Sequence, residues 1–129
     1  MATWDDVREV ALALPGATEG TSWGRPAWKV KDRLFVWERP LGRKDLEELG
    51  GDAPTGPVLG ARVPDEGAKH ALLADEPEVF FTTSHFEGYP AVLVRLDAIS
   101  RESLEELVVE AWADRAPARL VREHLGTTS

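Results

Sequence analysis

The sequence predicts an α+β fold, a single domain in which an antiparallel sheet of about five strands has helices packed on one side. Two observations favour it. Helical and strand-like segments occur in the order helix, three strands, helix, two strands, helix, which lacks the alternation of a parallel βαβ sheet. The 129 residues, 43% of them hydrophobic, suffice for one core without disulfides and are too few for two ordinary domains. One domain is therefore expected over residues 1–129.

The helices are predicted by apolar residues that recur every three or four positions. A first helix begins after Thr3, whose hydroxyl suits an N-cap, and ends at Pro15-Gly16. A second covers residues 65–74, the strongest follows Ser100, and a short last one begins at Pro117. The inward positions of the second and the strongest helix are Ala68, Ala71, Leu72, Leu73, Leu104, Leu107, Val108, Ala111 and Trp112.

The strands are predicted by short runs rich in Val, Phe, Trp and Leu, and the first two form a hairpin. Lys31-Asp32 suits its tight turn, because Asp accepts a positive φ better than most residues. In the second hairpin strand, strict alternation places Phe35 and Trp37 on one face and the residues between them on the other. The five strands lie at residues 27–31, 33–38, 58–63, 78–83 and 91–96.

Two segments rich in Gly, Pro and small polar residues are predicted as loops. Residues 16–24 lead into the hairpin. Residues 39–57 form a long exposed connection with one helical turn at 45–49, and its length makes it the segment expected to be most mobile.

Composition narrows the class of function. Fifteen basic and 23 acidic residues give a formal charge of −8, which opposes nucleic acid or anionic lipid except at a local patch. The absence of cysteine excludes zinc ribbons, thiol nucleophiles and thiolate-bound iron–sulfur clusters. The chain begins without a signal-peptide pattern and has no run of about 18 apolar residues, so we expect a cytoplasmic protein that does not enter a membrane. We also expect a monomer.

Three stretches, in one order across nearly the whole chain, carry a family resemblance. They are Leu12-Ala13-Leu14-Pro15-Gly16, the block Trp23-Gly24-Arg25-Pro26-Ala27-Trp28-Lys29-Val30 with Leu34-Phe35, and residues 80–96, in which Thr83-Ser84-His85-Phe86-Glu87-Gly88-Tyr89-Pro90 stands. Glu110-Ala111-Trp112 also fits. In these residues the chain resembles the MmcQ/YjbR-like family of the YjbR/CyaY-like superfamily. The resemblance implies a single-domain fold of the double-wing type and a DNA-binding function.

The hairpin and the connection after it are basic, unlike the rest of the chain. Residues 25–44 contain seven basic and two acidic side chains. Lys29 and Lys31 are expected on one strand face, with Arg33 joining them across the turn. Such a ribbon can follow phosphates in a salt-dependent way, although an ordinary solvated sheet edge has the same pattern. The predicted DNA contacts are Arg25, Lys29, Lys31, Arg33, Arg43 and Lys44.

An aromatic surface is the alternative site, for a small ligand or a protein partner. Its side chains come from two segments that the fold can bring together, where they line a pocket, stack bases or fill a core. Both faces of the second hairpin strand are apolar, so one of them is either covered by residues 39–57 or open for binding. The predicted pocket residues are Trp23, Trp37, His85 and Tyr89.

Catalytic and metal sites find little support in the sequence. Ser84 and His85 are neighbours outside any G-x-S-x-G motif, which argues against a triad. His85 and Glu87 have the spacing of an acid–base pair, but a histidine in a polar turn more often makes a structural hydrogen bond. The three histidines lack metal-ligand spacing, and the carboxylates of the first helix suit its N-terminus. We expect a protein that is not an enzyme and has no cofactor or metal.

Overall fold

An antiparallel sheet of six strands forms the centre of the structure, a computed structural model that describes residues 2–125. The strands are β1 (Ala17–Ser22), β2 (Arg25–Val30), β3 (Arg33–Glu38), β4 (Val58–Arg62), β5 (Phe80–Phe81) and β6 (Ala91–Arg95). Their order in the sheet is β1-β2-β3-β4-β6-β5, and each neighbouring pair is antiparallel. The predicted α+β class is confirmed.

Five helices accompany the sheet in the described residues. They are α1 (Trp4–Leu12), α2 (Arg43–Leu49), α3 (Glu66–Asp75), α4 (Arg101–Arg115) and α5 (Ala118–Leu125). The side chains of Thr3, Asp65 and Ser100 cap α1, α3 and α4 by accepting hydrogen bonds from backbone N–H groups three residues on. All helices except α2 pack on one face of the sheet. No helix in residues 2–125 is long and apolar enough to cross a membrane.

The main core lies between the sheet and these helices. Its largest fully buried side chains include Trp28, Phe35 and Trp112. The Trp112 indole donates a hydrogen bond to the Pro15 carbonyl at 2.9 Å, which ties α4 to the end of the α1 region. The predicted inward positions of α4, from Leu104 to Trp112, are all buried, whereas Ala71 of α3 is exposed.

The sheet has one strand more than the sequence predicts. Residues 16–24 are predicted as a loop, but Ala17–Ser22 form β1 and pair with β2 from Ala17 opposite Val30 to Ser22 opposite Arg25. β1 is an edge strand, and its residues are exposed or only half-buried, so its sequence carries no apolar alternation. Its conformation comes from the hydrogen bonds of β2 rather than from its own composition.

A β-bulge overturns the predicted faces of β3. Lys29 lies opposite Leu34 and Trp28 opposite Val36, so Phe35 is an extra residue between two pairs. Phe35 and Val36 both enter the main core, and Leu34 and Trp37 point to the other face of the sheet. The prediction that Phe35 and Trp37 share a face is therefore wrong, because alternation fails at a bulge.

The connection after β3 is mostly exposed, as predicted, but one side of it packs on the sheet. It contains α2, and Leu41 and Leu49 pack on a second apolar cluster on the face opposite the main core. Asp45 is buried, and its carboxylate accepts from the Gly42 N–H at 2.9 Å and from Arg39 at 3.2 Å. This segment thus covers part of the second face and leaves the rest open.

Candidate functional site: an aromatic groove

A groove of about 770 Å³ opens on the sheet face opposite the main core. Its floor contains Leu34, Trp37 and Phe86, and its walls include Trp23, His85 and Tyr89. The other lining residues are Ser22, Arg25, Glu38, Arg39, Pro40, Glu87 and Gly88. We call this site the aromatic groove. It brings together all four residues of the predicted pocket, which come from β1–β3 and from the turn before β6.

Trp23 is the most unusual residue of the groove. It occupies the two-residue turn between β1 and β2, with φ 54°, and Gly24 follows with φ 77°. Such a turn favours Asn-Gly, because a bulky side chain is strained at positive φ. Trp23 is nevertheless 100% exposed and therefore packs against nothing in the described chain. Neither local stability nor core packing explains an indole at this position.

The floor depends on a glycine in the neighbouring strand. Trp37 of β3 lies opposite Gly60 of β4, and a Cβ at Gly60 would overlap the Trp37 ring. The Trp37 ring is 6.5 Å from the ring of Phe86, which is 6.1 Å from the ring of Tyr89. Because Gly60 leaves room, the Trp37 indole lies over this position of β4, and neighbouring tilted rings continue from it through Phe86 to Tyr89.

Two arginines cover aromatic rings of the groove. The Arg39 guanidinium is 5.4 Å from the centre of the Phe86 ring, and that of Arg62 is 4.9 Å from the centre of the Tyr89 ring. Burial raises the pKa of Asp45, but the Gly42 N–H and the Arg39 guanidinium outweigh it and hold this pKa below its usual range. Asp45 therefore stays ionised and fixes Arg39.

The rim of the groove is polar and nearly balanced in charge. Arg25 and Glu38 pair at 3.0 Å, and 55% of the Arg25 side chain is exposed. Glu87 and the Asp45-paired Arg39 are the other charged lining residues. The rim thus offers hydrogen-bond donors and acceptors side by side without an excess of positive charge.

The predicted DNA contacts are dispersed over the structure. Arg33 is the strand partner of Val30, which lies in the main core, and it donates to the Arg115 carbonyl at the end of α4 at 3.4 Å. The expectation that Arg33 joins Lys29 and Lys31 is wrong, because Arg33 faces the helices. Lys29 lies opposite Leu34, on the groove face.

The other predicted DNA contacts differ in position along the hairpin and in whether a carboxylate lies near them. Arg25 begins β2 and Lys31 directly follows its last residue, so the two are about 20 Å apart at the usual rise per residue. Arg43 in α2 is 3.9 Å from Glu47. Among the described residues, no carboxylate lies within salt-bridge distance of Lys29, Lys31 or Lys44.

The residues considered for catalysis and metal binding have structural partners. The Ser84 hydroxyl donates to Glu48 at 2.7 Å, and the His85 ring meets the Phe86 ring edge-on at 5.0 Å. In α1, Asp6 and Glu9 both pair with Arg101 of α4. Residues 2–125 contain no group of three His, Asp or Glu side chains placed to hold a metal ion.

Comparison with known proteins identifies the family. The model of the YjbR family matches residues 12–114, which include β1–β6 and nearly all of α4. The chain belongs to the YjbR family. Its resemblance to MmcQ/YjbR-like proteins is thereby confirmed at the level of the family.

Two kinds of relative accompany this YjbR-family match. Uncharacterized proteins of Mycobacterium bovis and Mycobacterium tuberculosis are each 50% identical over 131 residues, which cover 99% of both chains. A crystal structure of a Deinococcus radiodurans protein with a DUF419 domain superposes with a TM-score of 0.66 at 23% identity, over 98% of this chain and 89% of that one. At that identity the likeness supports the fold alone.

Sequence reasoning missed two residues that place the groove wall of this YjbR-family protein, Glu48 and Lys69. Glu48 of α2 binds Ser84, and Lys69 of α3 donates to the carbonyls of Phe86 at 2.7 Å and Tyr89 at 3.0 Å. The sequence contains a signal for the inward position of Lys69. Lys69 precedes Leu72 by three positions and Leu73 by four, so it shares their inward helix face. Glu48 had none.

Proposed function

We propose that this protein is a non-catalytic binding protein whose aromatic groove holds a flat, ring-containing molecule. The observation that carries the proposal is Trp23, a fully exposed indole in a strained turn at the wall of the groove. A residue that violates a local rule without a packing benefit is expected at a functional position. A flat ligand that stacks between the Trp23 indole and the groove floor would give this exposed side chain an energetic role.

The rim supports a ligand with polar ring edges. Glu38 supplies acceptors, and Arg25 supplies donors, at adjacent positions. A flat nitrogen heterocycle carries both kinds of group on its edge, and the balanced charge of the rim suits a neutral ligand. Trp23 and Tyr89 supply the exposed aromatic surface of the groove, since they are 100% and 43% exposed, whereas Trp37 and Phe86 are buried beneath it. We therefore propose a neutral nitrogen heterocycle as the ligand class.

Trp23→Asn tests this proposal with little risk to the fold. Asn suits a positive φ, so the variant should be as stable as the wild type or slightly more stable. Calorimetry and ligand-observed NMR with adenosine, riboflavin and indole would measure binding. Stacking on an aromatic side chain contributes about 1–3 kcal/mol, so affinity should fall about tenfold or more.

The matched control is Leu12→Ala, which removes an exposed apolar side chain outside the groove. Its affinity should equal that of the wild type. The proposal fails if none of the three compounds binds the wild type, or if Trp23→Asn binds as tightly as Leu12→Ala.

Nucleic-acid binding is the second candidate function. Lys29 and Lys31 favour it, because both lie at one end of the hairpin and neither has a carboxylate within salt-bridge distance in residues 2–125. Two such cations would contribute salt-dependent affinity without sequence preference. The separation of Arg25 and the opposite face of Arg33 make this candidate weaker than the groove.

A salt series separates the two candidates. Lys29→Glu with Lys31→Glu should abolish salt-sensitive binding to duplex and single-stranded DNA and leave adenosine binding unchanged. Arg122→Glu, an exposed charge reversal on α5, is the control and should alter DNA binding only slightly. An unchanged DNA affinity in the double variant rejects the hairpin as the contact surface.

A further inference from the structure

Lys69 is a buried cation whose hydrogen-bond partners within residues 2–125 are backbone carbonyls. The side chain belongs to α3 and the residue is 3% exposed. Its ammonium donates to the carbonyl oxygens of Phe86 at 2.7 Å and Tyr89 at 3.0 Å. No carboxylate in the described chain pairs with it. Burying an ammonium costs free energy unless its N–H groups are hydrogen-bonded. The two carbonyls therefore fix the position of the ammonium, and the ammonium fixes the position of the two carbonyls.

The segment that Lys69 binds lies outside the sheet. Residues 84–86 form a 3₁₀ turn, and Gly88 takes a positive φ of 76°. None of residues 84–89 pairs in the sheet, and their backbone bonds are short-range, such as that from the Tyr89 N–H to the Phe86 carbonyl at 3.0 Å. Burial of Phe86 and the Glu48 bonds to Ser84 restrain the first half of the segment, whereas Glu87 and Gly88 are exposed and are held by local bonds alone. Lys69 is the long-range contact that joins both ends of residues 86–89 to a helix.

The geometry links this contact to the groove. The carbonyls of Phe86 and Tyr89 point to α3, while their rings line the groove floor and wall. We propose that Lys69 is a positioning residue, which sets the orientation of these rings by fixing the peptide groups that carry them. The inference rests on the proposed function for its effect on affinity, whereas its effect on the segment itself can be measured without a ligand.

Lys69→Met and Lys69→Arg test this role. Methionine fills the same space without a donor, and arginine restores charged donors. Amide hydrogen exchange followed by NMR would compare Tyr89 and Glu87 with Val108, a buried residue of α4. Loss of hydrogen bonds from a charged donor should accelerate exchange at Tyr89 and Glu87 about tenfold or more in Lys69→Met. Val108 reports the accompanying loss of global stability, and Lys69→Arg should restore the rates near the turn.

Two outcomes of the exchange experiment overturn the proposal. They are no acceleration at Tyr89, and an acceleration there that Lys69→Arg does not reduce. Lys69→Gln, which keeps a shorter neutral donor, replaces Lys69→Met under the same criteria if the methionine variant does not fold. Lys44→Met, at an exposed lysine of α2, is the control and should leave all rates unchanged.

Binding of adenosine, riboflavin and indole forms a second arm of the test. Lys69→Met should weaken whichever compound binds the wild type about tenfold, and Lys69→Arg should recover that affinity. If no compound binds the wild type, the proposed function fails while the exchange rates still decide the role of Lys69. Undiminished affinity in Lys69→Met, beside accelerated exchange, shows that the ring orientation does not depend on this contact and overturns the proposal.

Discussion

The carboxylate of Glu48 accepts hydrogen bonds from both the backbone N–H of Ser84, at 2.9 Å, and its hydroxyl, at 2.7 Å. One side chain of α2 therefore holds the start of the groove wall, 36 residues further along the chain. Lys69 of α3 holds the other end, at Phe86 and Tyr89. The aromatic groove is thus shaped by helices on both faces of the sheet, although its rings come from strands and turns.

Glu48→Gln should loosen this attachment. The amide oxygen can still accept, but the bonds lose the assistance of charge, and the exposure of Glu48 limits the loss to about 1 kcal/mol. Urea unfolding would measure it. Glu47→Gln is the matched control, because the Glu47 carboxylate is 3.9 Å from Arg43 and both side chains are mostly exposed. Equal losses in the two variants would contradict the importance of the Ser84 contact.

Gly60→Ala should disturb the groove floor from beneath. The added methyl group would overlap the Trp37 ring, so the indole must move and the free energy of unfolding should fall by about 1–3 kcal/mol. Tryptophan fluorescence would report the displacement. Gly20→Ala makes the same change in β1, where nothing lies within 4 Å of the new methyl group, and should be neutral or slightly stabilising. A neutral Gly60→Ala would show that Trp37 does not depend on this glycine.

Asp45→Asn should reveal a pH-dependent contribution to stability. Burial raises the pKa of Asp45, yet the Gly42 N–H and the Arg39 guanidinium keep it below its usual range. Because the unfolded pKa is about 3.9, the ionised carboxylate stabilises the fold fully above that pH, and this stabilisation is lost as pH falls through the folded pKa. Asn should therefore cost stability at pH 7, and the difference should narrow in urea titrations near pH 3. A difference that is equal at both pH values would exclude the charge as its cause.

The parts of the fold that sequence predicts are those with local causes. Thr3 and Ser100 are N-cap residues that predict where α1 and α4 begin. The apolar spacing from Leu104 to Trp112 predicts the buried face of α4. β1 lacks such a signal, because an exposed edge strand needs no apolar alternation and is specified by its partner. The bulge at Phe35 also has no local signal in the sequence, since it depends on how β2 and β3 align.

The composition of the candidate site is predictable, but its assembly is not. Aromatic side chains in two segments suggest a shared surface, and Trp23, Trp37, His85 and Tyr89 do meet in one groove. Their meeting depends on the bulge that turns Trp37 away from the main core and on the helix contacts that place residues 84–89. These are long-range effects that no local pattern encodes. The predicted DNA contacts do not form one surface, for the same reason. They lie on different strand faces and at different ends of a strand.

Asp32→Gly should stabilise the turn between β2 and β3. Lys31 and Asp32 have φ values of 51° and 64°, and a left-handed conformation strains a residue with a Cβ but not a glycine. The free energy of unfolding should rise by about 0.5–1 kcal/mol, as measured by urea titration. The reverse change in the turn between β1 and β2, Gly24→Asp at φ 77°, should lower it by a similar amount. The two turns are alike in length and in the sign of φ, so a shift of both variants in the same direction would show that side-chain contacts outweigh backbone strain at these positions.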